Sequence, residues 1–291
     1  MPFIVAHEFF DALPIHVFQC VDVPPTQSSP AAPTDRSSPS SKTRQPTLQW
    51  REMLVSPTPP GSTHDTLRTP TSQSRETPPP DFQLTLANAQ TRHSLYLPES
   101  SPRYRDIRTR SGAGSLIEIC PDASLYASDF ASRIGGSAAH PKQRPSGAAL
   151  ILDYGPGDGS GTTVPVNTLR GIKRHLRVSP FAEPGLTDLS ADVDFGAVAE
   201  SALRASPGVE VHGPVAQADF LEGMGIRERV AALAKAAKAG GGAEATDVEK
   251  ACNRLTDRGP GGMGKVYKAM AILPENEGKR RPVGFGGDVE A

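Results

Sequence analysis

The sequence predicts an α/β protein built on a doubly wound sheet and interrupted by a long polar insertion. Two apolar runs predict the sheet. Phe3-Ile4-Val5-Ala6 and Ala148-Ala149-Leu150-Ile151-Leu152 have the composition of buried parallel strands, and a helical stretch separates them. Each run ends in polar residues, His7-Glu8 in the first and Asp153-Tyr154-Gly155 in the second. Composition predicts the insertion, because 29 Pro and 28 Gly in 291 residues with 37% hydrophobic content leave much of the chain outside a packed core. A strand such as Phe3 to Ala6 needs neighbours on both sides, so the chain is expected to be the C-terminal part of a larger domain.

Taken in order, residues 1–23 supply the first strand and turn, and residues 24–115 are expected to be the insertion. Pro24 to about Pro46 and Ser56 to Pro80 are rich in Pro, Ser and Thr, which cannot bury enough apolar surface to offset chain ordering, and both are expected to be disordered. Between them Thr47 to Val55 alternates like a half-buried strand, and Phe82 to Leu86 alternates in the same way and is expected to pair with it. Residues 116–291 resume the sheet domain. Leu116 to Cys120 reads as a strand, and Pro121-Asp122 opens a helix with Leu125, Tyr126, Phe130 and Ile134 on its apolar side and Gly135-Gly136 at its end. A further helix runs to about Arg204 with Thr187 or Ser190 as its cap. Val209 to His212 is a short strand. Gly225 to Lys238 is a helix facing inward through Val230, Leu233 and Ala237, and Lys265 to Ile272 closes the sheet as the last strand. Met224, Met263 and Met270 are core candidates.

Charge and cysteine usage exclude several classes. A net charge of -1 and a pI near 6.7 leave no electrostatic footprint for nucleic acid. No run approaches the roughly 20 apolar residues that a bilayer-spanning helix requires. Cys20, Cys120 and Cys252 stand alone, so their spacing indicates neither a disulfide framework nor a zinc site. No targeting segment is visible in the first residues.

The chemistry-bearing candidates gather at the strand ends, where ligands of open α/β sheets bind. Glu8 and Asp11 flank Phe9 and Phe10 just after the first strand. Two carboxylates three residues apart on such a turn can face one cavity, and a planar guanidinium fits that fork in bidentate fashion. The bland reading is that Glu8 caps a helix and the two rings are plain core. The glycine-rich stretch Asp153 to Thr162 has the look of a nucleotide loop, but Pro156 stands where a helix should open and the following segment is basic, so it is expected to be a flexible loop beside the site. His175 follows Arg170, Lys173 and Arg174 on a supposed helical turn, as a neutral base or hydrogen-bond partner or simply as a surface residue. Asp192 and Asp194 read as helix caps sooner than as metal ligands.

Several strings, in order, resemble the MidA family of mitochondrial complex I assembly methyltransferases: Ala6 to Pro14, Leu152 to Gly155, Thr168 to Gly171 with His175, Asp188 to Phe195, Gln217 to Ile226 and Met263-Gly264. The resemblance covers residues 3 to about 286, apart from the inserts. It implies the C-terminal portion of a class I, Rossmann-like methyltransferase fold, with Phe3 to Ala6 as its fourth strand and Ala148 to Leu152 as its fifth. It further implies S-adenosylmethionine as cofactor, symmetric dimethylation of an arginine on a complex I core subunit, and a mitochondrial location. The family's cofactor-holding glycine loop and acidic strand tip precede the matching region, so cofactor-binding residues are expected upstream of Met1. Glu8, with Asp11 as second carboxylate, is the implied catalytic pair, and His7, Phe9, Phe10, Asp153, Tyr154 and His175 are the implied substrate-binding residues. Two other readings are a non-catalytic assembly or interaction protein that keeps the partner-binding half of the fold, and a nucleotide-dependent enzyme using the loop at Asp153 to Thr162.

Overall fold

The structure is a computed structural model that describes residues 1–23, 47–67, 78–157, 163–239, 243–259, 262–279 and 281–287. The chain divides into two compact units, one of Met1–Ile15, Cys120–Pro180 and Pro184–Ala291, the other of His16–Ile119 and Phe181–Glu183. In chain order, β1 is Phe3–His7, β2 His16–Val23, β3 Thr47–Pro57, β4 Phe82–Leu86, α1 Arg92–Tyr96, α2 Pro102–Ser111 and β5 Leu116–Ile119. Then follow α3 (Pro121–Gly135), β6 (Ala148–Tyr154), β7 (Arg170–Lys173), β8 (Leu176–Val178), β9 (Asp188–Ser190), α4 (Phe195–Ala205) and β10 (Val209–Ala216). Last come α5 (Gln217–Gly223), α6 (Ile226–Ala239), α7 (Ala243–Thr256) and β11 (Tyr267–Pro274).

The first unit is organised by a sheet of order β1-β6-β11-β10. β1 lies parallel to β6 with Ala6 opposite Ile151, while β11 runs antiparallel to both β6 and β10. Alternation along the strands sorts the side chains to two faces. Ala149, Ile151, Met270 and Ile272 join Ile134 of α3 and Phe195, Val198 and Ala202 of α4 in one core, whereas Leu150, Leu152, Ala269 and Ala271 meet Phe220, Leu221 and Phe285 on the other. A sheet covered on both faces is the expected doubly wound arrangement. β11, however, is inserted between β6 and β10 instead of closing the sheet. Phe3 and Val5 of β1 are exposed, and among the described residues β1 pairs with β6 alone.

Two helices bury a different stripe from the one their large residues suggest. In α3 Ile134 is buried and Phe130 packs against the core as expected, but the rest of the buried stripe is Ala123, Ala127 and Ala131, while Leu125 and Tyr126 are exposed. Small residues let the backbone come close: a Cβ at Gly135 would stand 2.3 Å from Ser206 Oγ and 2.7 Å from the Gly208 carbonyl carbon. In α6 it is Ala234 that is buried, and Leu233 is exposed. Met224 is exposed too, leaving Met270 as the fully buried methionine. The cap of α4 is Asp194, whose carboxylate accepts from Ala197 N–H at 3.0 Å, not Thr187 or Ser190.

The second unit is an antiparallel sheet of order β4-β3-β2-β5. The expected pairing of β3 with β4 is present, with Met53 opposite Leu86 and Pro57 opposite Phe82. Phe18, Cys20, Trp50, Ile117 and Tyr104 are among its buried side chains. A capping box between Thr91 and Ser94 starts α1, and Ser101 caps α2 ahead of Pro102. The expected disordered stretches fall mostly outside the described residues, at 24–46 and 68–77. Ser56 and Pro57 are corrected to the end of β3, and Thr58 is tied to Asp81 by a backbone bond of 2.8 Å.

Candidate active site at the ends of β1 and β6

β1 and β6 end side by side, and the geometry there follows from one buried carboxylate. Glu8 N–H extends the parallel ladder to the Leu152 carbonyl at 2.9 Å. Beyond it the chain leaves the sheet, and Asp153 Oδ2 takes over the ladder's role by accepting from the N–H groups of Phe9 at 3.2 Å, Phe10 at 2.9 Å and Asp11 at 3.4 Å. Oδ1 accepts from Tyr154 N–H at 2.9 Å. Successive backbone amides wrapped around an oxygen form a concavity suited to an anion, and here the oxygen belongs to the protein's own carboxyl group. Asp153 is fully buried. Burial first, and the nearby Asp11 carboxylate second, push its pKa up to about 7 against the lowering effect of the backbone donors.

The turn so pinned presents Glu8 and Asp11. Glu8 is exposed, and its φ of +47° lies in the left-handed region that costs a non-glycine residue conformational energy. Its Oε1 accepts from the Tyr267 hydroxyl at 3.0 Å. Asp11 keeps only 7% of its exposure; its Oδ2 accepts from the Tyr154 hydroxyl at 2.6 Å, while Oδ1 is buried with no hydrogen-bond partner. The two tyrosine rings meet edge to face at 5.1 Å, so one aromatic pair serves both carboxylates. Burial and the carboxylate each hydroxyl faces raise the pKa values of Tyr154 and Tyr267, which keeps both as donors.

A polar girdle supports Tyr154. Its hydroxyl also lies 2.9 Å from Ser190 Oγ, and the Arg170 guanidinium stacks 4.6 Å from its ring centroid. Asp192 holds that guanidinium at 2.5 Å, and Thr168 Oγ1 accepts from Asp192 N–H at 2.9 Å. Beside this girdle a cleft of about 720 Å³ runs past Gly155, Pro156 and Gly157, with Asp192, Arg258 and Lys265 on its walls.

The sequence-predicted residues therefore divide. Glu8, Asp11, Asp153 and Tyr154 are brought together. Phe10 is buried in the core against Phe130, and Phe9 packs edge to face on Tyr126 at 4.9 Å. His7 is exposed at the end of β1. His175 is corrected from a helical turn to the tight turn between β7 and β8, exposed and with φ of +62°. Tyr267, Ser190 and Arg170 were not foreseen as site residues. Tyr267 opens β11, and only its antiparallel pairing opposite Tyr154 brings it to Glu8.

Residues 1–215 match the family described as "Putative S-adenosyl-L-methionine-dependent methyltransferase". The chain belongs to that family. Its curated relatives include mitochondrial protein arginine methyltransferases NDUFAF7: that of Danio rerio is 34% identical over 79% of this chain and 38% of its own, and that of Rattus norvegicus 31% identical over 94% of this chain and 46% of its own. The chain thus spans about half the length of the curated relatives it matches. A crystal structure of a Burkholderia thailandensis protein bound to S-adenosyl-homocysteine superposes with a TM-score of 0.54 at 20% identity, over 98% of this chain and 54% of that one, which shows a shared fold.

S-adenosylmethionine is the cofactor of this family. The donor set at the strand ends suits cations: Asp11 Oδ1 lacks a partner and Glu8 has one exposed carboxylate. Such a set fits a guanidinium and tolerates the positive sulfonium of the cofactor. It does not supply the amide cradle and ribose-holding acid that the cofactor's remaining parts require. Among the described residues, the glycine turn after β6 leads to the strand β7 and not to a helix.

Proposed function

We propose that this chain carries the methyl-acceptor side of an S-adenosylmethionine-dependent protein arginine methyltransferase, with Glu8 and Asp11 as the carboxylates that grip the guanidinium. The observation that carries the reading is Asp11 Oδ1, a buried and unpartnered carboxylate oxygen three residues beyond the strained, exposed Glu8. Leaving such an oxygen without a donor costs about 1–3 kcal/mol, and a guanidinium admitted by a small opening of the turn would supply the donor.

The cofactor supplies an electrophilic methyl group. Everything else asked of these residues is orientation and charge. The Tyr154 and Tyr267 hydroxyls hold one oxygen of each carboxylate, leaving the others for the guanidinium's N–H groups. Fixing the nitrogen against the methyl converts an encounter into an oriented pair, worth roughly 7–11 kcal/mol of barrier in well-aligned cases. Glu8 accepts the proton that the nitrogen releases on alkylation. Asp153 positions both carboxylates through the backbone and touches no substrate itself.

The relatives' names support a protein substrate and a mitochondrial setting, and the family resemblance supports symmetric dimethylarginine on a complex I core subunit as product. The test uses the complete gene product with isotopically labelled S-adenosylmethionine. Glu8→Gln should abolish label transfer to arginine while cofactor affinity stays within about two-fold. Turnover close to wild type in that variant removes Glu8 from its role.

A further inference from the structure

The second unit holds a side-chain cluster that the methyl-transfer reading does not use. His16 begins β2, Glu52 lies within β3 and His93 lies in the first turn of α1. Phe18 stands opposite Glu52 in the β2–β3 register, and His16, two residues from Phe18, shares its face. That face brings His16 Nδ1 to 2.8 Å from Glu52 Oε1, with His93 Nδ1 3.5 Å from the same oxygen. The imidazole centroids are 4.2 Å apart, and the three donor atoms all lie within 4.8 Å of one another.

We infer that His16, Glu52 and His93 bind one divalent transition-metal cation of the zinc class, through Nδ1 of each imidazole and Oε1 of the carboxylate. Zinc bonds of about 2.0–2.1 Å in tetrahedral array put ligand atoms about 3.3 Å apart. The separations of 2.8 and 3.5 Å from Oε1 bracket that value, so a cation needs only small side-chain movements. Thr91 Oγ1 donates to the other carboxylate oxygen, Oε2, and so turns Oε1 toward the imidazoles. The side chain of Glu52 is 8% exposed, that of His16 27% and that of His93 53%. Two ligands are therefore anchored in the sheet, and the third stands at the rim, where a cation enters and a water completes the shell. Two imidazoles and one carboxylate favour zinc, cobalt or nickel over magnesium or calcium, which take oxygen donors. The cation would tie α1 to β2 and β3, three segments far apart in sequence.

The test is direct titration of the chelator-stripped full chain with Zn²⁺ by calorimetry, and with Co²⁺ by visible absorption. One equivalent should bind to the wild type, with cobalt d–d bands of low-coordinate intensity and a rise in Tm on adding Zn²⁺. His93→Ala, at an exposed position that circular dichroism can check for folding, and Glu52→Gln should each weaken binding at least ten-fold and remove the Tm rise. His212→Ala, which breaks a separate histidine–glutamate contact at 3.0 Å, should leave binding unchanged. No stoichiometric uptake, or uptake that survives His93→Ala, overturns the site and leaves a hydrogen-bonded histidine–carboxylate cluster only.

Discussion

The Tyr154 hydroxyl donates to Asp11 Oδ2 at 2.6 Å, while Oδ1 of the same buried carboxylate has no partner. Among the described residues, Tyr154 is thus the one side-chain donor to this carboxylate, which the fold has shut away from water. Hydrogen bonds to charged groups contribute about 1.5–3 kcal/mol, so Tyr154→Phe should destabilise by about that amount. A double-mutant cycle of Tyr154→Phe with Asp11→Asn in urea should give a coupling above about 0.5 kcal/mol. Additive losses would mean that the short contact carries no energy of its own.

β6 was legible in the sequence because it is covered on both faces and reads as an apolar run, Ala149, Leu150, Ile151 and Leu152; β1 reads the same way, yet its Phe3 and Val5 are exposed. The pairing of Glu8 and Asp11 was legible because both sit within one turn. What escaped was set by tertiary register. Tyr267 is 259 residues from Glu8, and nothing in its neighbourhood marks it as a hydrogen-bond donor to that residue. The stripe of α3 was misjudged for a similar reason. Close packing near Gly135 selects Ala123, Ala127 and Ala131, and size alone points to Leu125. His175 was misplaced because a basic run says nothing about whether it coils or turns back as a hairpin.

Asp153 should leave a signature in the pH dependence of stability. Its pKa rises from 3.8 in the unfolded reference to about 7 in the fold, so the folded state holds the proton more tightly. The stabilisation is complete below pH about 4, declines as pH climbs toward 7 and is flat above that. Asp153→Asn cannot ionise. It pays a pH-independent cost because its amide N–H₂ must face a backbone N–H donor. The stability of wild type relative to this variant should therefore shrink from pH 4.5 to pH 7.5 in urea titrations. A gap that widens with pH would show that the backbone donors to Asp153 outweigh its burial.

Gly155 is a packing requirement at the mouth of the cleft. A Cβ there would meet the Val193 carbonyl oxygen at 2.4 Å and its nitrogen at 2.9 Å, both backbone atoms with no rotamer to change. Val193 N–H donates to the Tyr154 carbonyl at 3.0 Å, so relief would pull that contact apart. Gly155→Ala should cost about 1–3 kcal/mol, the usual range for overpacking. It should also lower the melting temperature more than Gly61→Ala, whose added Cβ meets nothing within 4 Å. Equal effects would show that the β6 end yields more easily than its backbone contacts suggest.

Glu8 allows strain and chemistry to be separated. Holding a non-glycine residue at φ +47° costs about 1–2 kcal/mol, whereas glycine at the same place loses about 0.5–1 kcal/mol through unfolded-chain entropy. The first exceeds the second, so Glu8→Gly should be neutral to about 1 kcal/mol stabilising in denaturant melts, even though it deletes the contact to Tyr267. Glu8→Gln keeps the backbone strain and should leave stability near wild type. If Glu8 grips the guanidinium, both variants lose methyl transfer, and only the glycine variant gains stability. A glycine variant clearly less stable than wild type would mean that the Tyr267 hydrogen bond outweighs the backbone strain, and that the turn is held for the fold before it is held for a substrate.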